Sequence, residues 1–126
     1  MPGEQVLIVE DNEKNMKLFR DVLEAKGYRS LQATSGEQAV ELATQHAPDL
    51  ILMDVQLPGI DGSEAFRLIR DDDRTSAIPV VALTAQAMQG DRERFLEAGF
   101  DGYISKPVNV LEFIEAVKRY CERGSA

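Results

Sequence analysis

The sequence is poor in the residues that build disulfide scaffolds and zinc clusters. It holds one cysteine (Cys121), one histidine (His46) and no tryptophan in 126 residues. One cysteine excludes an internal disulfide, and one histidine beside it leaves too few ligands for a zinc cluster. Cys121 therefore reads as a part-buried small hydrophobe on the last helix. Positive charge is also scarce: 14 Lys and Arg stand against 22 Asp and Glu, a formal net charge of -8. That balance argues against a nucleic-acid surface and against adhesion to anionic lipid. Long hydrophobic runs are missing. Leu50-Ile51-Leu52-Met53 and Val80-Val81-Ala82-Leu83 fall far short of the ~20 apolar residues that cross a bilayer. No basic segment followed by an apolar stretch opens the chain, so no signal peptide and a soluble, cytoplasmic protein are expected. Repeats and low-complexity tracts are absent as well.

What is there is an alternation. Hydrophobic residues make up 44%, enough for a sizeable core. The length fits a single domain over residues 1–126, with its core at about 5–122 and no output domain. Val6-Leu7-Ile8-Val9 is a continuous apolar run, the mark of a strand buried on both faces. Asn12 caps a first helix whose core stripe is Met16, Phe19 and Leu23, joined by Leu18 and Val22, and Gly27 stops it. Tyr28 to Ala33 is a weaker, edge-lying strand. Ser35 and Gln38 resemble a capping box for a helix burying Ala39, Val40 and Ala43. His46 stands in a loop before Ala47-Pro48. Leu50 to Met53 is the next buried strand. Asp61 and Glu64 open a third helix with Ala65, Leu68 and Ile69, and Asp71-Asp72-Asp73 is its solvated end. Ile78 to Leu83 is a strand, a fourth helix lies near Asp91 to Ala98, and Gly102 to Ser105 is the last strand. Asn109 and Glu112 cap a final helix carrying Phe113, Ile114, Val117 and Cys121. Strands alternating with helices predict an α/β protein with a doubly wound, five-stranded parallel sheet of order 2-1-3-4-5, flavodoxin-like.

In such a sheet the site lies at the carboxyl ends of the strands, beside the switch between the first and third. Strand one ends in Glu10-Asp11-Asn12, strand three in Asp54, strand four in Thr84 and strand five in Ser105-Lys106-Pro107. Three carboxylates ~5 Å apart repel by roughly 3 kcal/mol per pair at an effective dielectric near 20. A cation among them removes that cost, and oxygen-only ligands with room for water suit Mg²⁺. Asp54 is the nucleophile candidate, because a carboxylate can attack phosphorus to form an acyl phosphate. Mg²⁺ would bridge Asp54 and the incoming oxygens, the Gln56 backbone carbonyl completing its shell; Lys106 would hold one oxygen and the Thr84 hydroxyl another. Taken singly, each residue has an ordinary reading as a helix cap, a turn residue or a solvated lysine. Their coincidence at successive strand ends, with complementary charges, is what argues for a site.

These residues carry a family resemblance. VLIVEDN, PDLILMDVQLPGIDG, VVALTA and YISKP together resemble the response-regulator receiver domain (CheY-like) of two-component phosphorelays. Longer stretches, EDNEKNMKLFRDVLEAKGY and IPVVALTAQAM, are similar to small stand-alone cell-division regulators of the DivK type. The resemblance implies that Glu10 and Asp11 form the acidic pocket and Asp54 accepts the phosphoryl group. It implies that Thr84 is the switch hydroxyl, Tyr103 the switch aromatic and Lys106 the partner of the phosphoryl oxygens. Lys106-Pro107 becomes a candidate cis bond. Gln56 and Gln86 would flank the phosphoryl site.

The function this implies is a signalling protein, not a conventional enzyme, that catalyses its own Mg²⁺-dependent phosphorylation and dephosphorylation. The donor would be a histidine kinase or histidine phosphotransferase. Phosphorylation adds ~1.5–2 negative charges; Thr84 would turn toward them and the Tyr103 ring into the space vacated. Output would pass to a protein target through the face formed by the fourth helix, fifth strand and fifth helix, with Met88, Arg92 and Glu93 on it. A monomer is expected. Rival readings fare worse. A flavin site would need phosphate-binding donors where Glu10-Asp11-Asn12 stands; the P-loop pattern of nucleotide hydrolases is absent; and an aspartyl phosphatase would need a cap insertion.

Overall fold

The computed structural model describes residues 4–54, 62–84, 97, 99–105 and 109–125. Along them run β1 (Gln5–Val9), α1 (Glu13–Ala25), β2 (Arg29–Ala33), α2 (Gly36–His46), β3 (Leu50–Asp54), α3 (Gly62–Asp71), β4 (Val80–Thr84), β5 (Gly102–Ser105) and a C-terminal helix (Val110–Ser125). The strands form one sheet of order β2-β1-β3-β4-β5. Every pairing is parallel, as the alternation of strand and helix predicts. The helix expected near 91–98 falls, Glu97 excepted, outside the described residues.

Strand alternation divides the core in two. Leu7, Val9, Ile51, Met53, Val80 and Ala82 point to the face covered by α2 and α3. Val6, Ile8, Leu50, Leu52, Val81 and Leu83 point to the face covered by α1 and the C-terminal helix. Period-two alternation puts neighbours on opposite faces, and burial of both faces is why these strands are apolar without interruption. On the second face Phe19 of α1 stacks on Phe113 of the C-terminal helix, with ring centroids 5.0 Å apart. Cys121 packs there too, fully buried, rather than part-buried.

Capping fixes where helices begin. The Asn12 side-chain oxygen accepts the Asn15 amide at 3.0 Å, and the Ser35 hydroxyl accepts the Gln38 amide at 3.2 Å. Gln38 reaches back to the Thr34 amide at 2.9 Å, one residue earlier than a regular capping box requires. Asn109 accepts the amides of Leu111 and Glu112, which starts the C-terminal helix.

Leu18 and Leu68 do not join the core; they are 41% and 37% exposed. The buried stripe of α3 is Ala65, Phe66 and Ile69, because the helix turns Phe66 inward where Leu68 was expected. β4 begins at Val80 rather than Ile78, since Pro79 has no N–H to give a ladder. β2 begins at Arg29, not Tyr28. His46 is the last residue of α2 rather than a loop residue.

The end of α2 carries the one non-glycine residue with positive φ among those described, Ala47 at 46°. Its N–H donates to Ala43 O, so the left-handed turn is a helix stop. A side chain there costs roughly 1 kcal/mol, which glycine avoids. Ala47→Gly is therefore expected to stabilise the domain by up to about 0.5 kcal/mol, after the entropy glycine adds to the unfolded chain. Urea unfolding at constant m-value checks it; a lower midpoint would mean the turn is not strained.

Candidate functional site at the carboxyl edge of the sheet

The site is built where β1 and β3 end side by side. Val9 pairs with Met53, so Glu10 and Asp54, one residue further on, stand at the same level on neighbouring strands. The Glu10 N–H donates to Ala33 O at 3.0 Å, which extends the ladder to β2 past the strand end and fixes the residue. Glu10 in turn accepts the Asn12 amide on Oε1 at 3.3 Å. Asn12 then caps α1. The chain thus turns from strand to helix over two residues, and Glu10 and Asp11 are held at the turn.

Glu10, Asp11 and Asp54 each offer a carboxylate oxygen, and these three oxygens lie within 4.8 Å of one another. Glu10 is 1% exposed and Asp54 4%, while Asp11 is open to solvent. Unit charges at this separation repel by roughly 3 kcal/mol per pair at an effective dielectric of 20. The donors are all hard oxygens, with neither thiolate nor imidazole among them. Such a set fits a hard divalent cation that keeps part of its water, the exposed side at Asp11 leaving room for it.

The remaining expected site residues sit as follows. Thr84 ends β4 and is registered against Ser105 of β5. Leu83 is the partner of Asp54 across β3 and β4, so Thr84 stands one strand away and one residue beyond. Tyr103 is half-buried and packs against the core cluster on the α2–α3 face. Lys106, Pro107, Gln56, Gln86, Met88, Arg92 and Glu93 lie outside the described residues.

A feature that sequence reasoning missed adjoins the carboxylates. Glu10, Asp11, Glu13, Met16, Lys17, Arg20, Gln32 and Thr34 line a cleft of about 290 Å³ between α1 and β2. The spacing of Glu13, Met16, Lys17 and Arg20 was the available signal, since it puts them on one side of a helix. Lys17 pairs with Asp21 at 3.0 Å. The hydrogen bond from Lys17 holds the Asp21 carboxyl below the usual range, with Arg20 adding to it. At the far end of α3, the hydrogen bond from Arg74 does the same for Asp72.

No helix among the described residues is long and apolar enough to cross a membrane. Comparison with known proteins matches residues 6–118 to the response regulator receiver domain family. The polar-differentiation response regulator DivK of Brucella anthropi is 54% identical over 115 residues, covering 91% of this chain and 94% of that protein. Among solved structures, the receiver domain of sensor histidine kinase PA1611 from Pseudomonas aeruginosa superposes with a TM-score of 0.87 at 40% identity, covering 95% of this chain and 98% of that one. That structure has a magnesium ion coordinated in its active-site cleft. The chemotaxis response regulator CheY4 of Vibrio cholerae, 24% identical, shares the fold with a TM-score of 0.87 over 94% of this chain and 98% of its own. With its doubly wound sheet and its carboxylates gathered at the switch point, the chain belongs to the response regulator receiver domain family, a signalling family whose members work with histidine kinases.

Proposed function

We propose that this receiver takes a phosphoryl group on Asp54 and signals by changing its contacts with other proteins. The observation that carries this reading is the meeting of three carboxylate oxygens within 4.8 Å, with Asp54 buried at the end of a central strand. Glu10, Asp11, Asp54 and the Gln56 carbonyl would hold Mg²⁺, which would supply the positive charge that lets an anionic donor approach. The other parts belong to the chain. An Asp54 carboxylate oxygen attacks the phosphorus of the donor, the bond to the leaving group breaks in line, and an acyl phosphate forms. The Lys106 ammonium holds one phosphoryl oxygen as a point charge, and the Thr84 hydroxyl donates to another. Thr84 and Tyr103 then favour a second packing of the β4–β5 side, and the phosphoryl group shifts the population toward it.

The donor is a histidine kinase or histidine phosphotransferase, and the target is a protein bound through β5 and the helices beside it. The identity with the polar-differentiation regulators supports a role in the same kind of process, cell-cycle or cell-division control. The chain works in this reading as a soluble cytoplasmic monomer, a single receiver over residues 1–126. Incubation with labelled acetyl phosphate tests the chemistry: the protein takes up label only with Mg²⁺ and loses it in mild base. Metal-independent or base-stable label would rule the reading out.

The same carboxylates carry a stability consequence. Removing one of three mutually repelling charges relieves the apo fold. Asp54→Ala is expected to gain about 1 kcal/mol after screening, or ~3–6 °C in Tm for a domain of this size. Saturating Mg²⁺ raises the wild-type Tm in the same direction. Calorimetry with and without Mg²⁺ decides; an unchanged Tm in both would separate the acids into independent groups.

A further inference from the structure

Asp101 joins three elements at the end of the sheet opposite the carboxylates. Its N–H donates to Val80 O at 2.9 Å, and its Oδ2 accepts the Val80 N–H at 2.8 Å. The residue thus bonds both peptide groups of Val80 and closes the β4–β5 ladder at its start. The same carboxylate takes Arg70 of α3 at 2.6 Å, and that guanidinium also donates to Ile78 O at 2.5 Å. From the other face the Tyr120 hydroxyl of the C-terminal helix donates to Asp101 O at 3.0 Å. The approach is close enough that a Cβ on Gly102 would collide with the Tyr120 hydroxyl, so a side chain at 102 would displace that hydroxyl from the node.

We propose that Asp101 is a positioning residue for the switch: it pins the start of β5 and the C-terminal helix at one pivot, so that rearrangement at Thr84 and Tyr103 is confined to the site end of both. This rests on the reading of Thr84 and Tyr103 given above. Tyr103 lies two residues along the strand from the pivot, about 6.6 Å. With both backbone groups of Val80 engaged, β5 cannot slip along β4; a one-residue slip would turn Tyr103 to the other face. What remains is a tilt about the fixed end. The Tyr120 bond holds the second half of the helix to that end, leaving its first turns, which begin at Val110, to move with the strand.

Amide hydrogen exchange, with and without Mg²⁺ and beryllofluoride, tests this on the intact protein. The quantity read is the ratio of exchange rates between the two conditions, in which a purely structural loosening cancels. In wild type the ratio changes at residues 103–105 and 110–113 and stays near one at 117–121. In Tyr120→Phe, which keeps the ring and loses the hydroxyl, the ratio at 117–121 changes by about fivefold or more. Asp101→Asn, which keeps the shape and weakens the pairing with Arg70, gives the same spread. Ratios at 117–121 that match wild type in both variants would overturn the pivot and leave the switch reading standing. A wild type with no change at 103–105 would overturn the switch reading, and the pivot with it.

Discussion

Asp54→Asn is expected to lower phosphoryl uptake by roughly two orders of magnitude or more, because it removes the attacking oxygen while keeping the shape of the side chain. The amide cannot form an acyl phosphate that survives, and it also removes one of the three charges proposed to hold the cation. The fold should tolerate the change. Asp54 sits at the end of β3, with the apolar residues Leu50 to Met53 before it providing the strand's packing. Mass spectrometry of the intact protein after incubation with acetyl phosphate and Mg²⁺ reads the result. Wild type gains one phosphoryl mass and the variant does not. Equal and base-stable labelling of Asp54→Asn would move the phosphorylation elsewhere.

The second large effect concerns Asp11. It is the exposed member of the three carboxylates, so Asp11→Asn alters the charge of the site with little consequence for packing. Losing one anionic ligand should weaken Mg²⁺ binding by about 10–100-fold, the range seen when even the supporting shell of a metal site is altered. Phosphorylation at sub-saturating Mg²⁺ should slow in proportion, and excess Mg²⁺ should recover part of the rate. Titration followed by a spectroscopic probe near the site measures the first, and label uptake against Mg²⁺ concentration the second. Superimposable titrations for wild type and variant would remove Asp11 from the metal site.

Much of this was legible in the sequence, for physical reasons that can be named. A buried parallel strand has no polar face, so Val6–Val9, Leu50–Met53 and Val80–Leu83 stand out as uninterrupted apolar runs. Polar residues directly after such runs stand at the sheet's carboxyl edge, and that is how Glu10, Asp11 and Asp54 could be placed together before any coordinates. Side-chain caps such as Asn12, Ser35 and Asn109 are local, and local signals survive in sequence. Helix phase was harder. Leu18 and Leu68 are as apolar as the residues that do face the core, and only packing against the sheet decides that Phe66 turns in and Leu68 out. The Asp101 node was not legible at all. Arg70, Asp101 and Tyr120 are far apart in sequence, and each taken alone reads as a solvated side chain. Their meeting depends on how α3, β5 and the C-terminal helix pack, which no window of residues contains.

Chemical trapping tests directly whether Asp54 is the acceptor. Borohydride added to the phosphorylated protein reduces an acyl phosphate: hydride adds to the carbonyl carbon, the C–O bond to phosphate breaks, phosphate leaves, and a second hydride leaves an alcohol. Peptide mapping then identifies the residue that changed. The account predicts homoserine at position 54 and nowhere else, dependent on Mg²⁺ during phosphorylation. A reduced residue at Glu10 or Asp11, or a phosphoryl group found intact on His46, would contradict it.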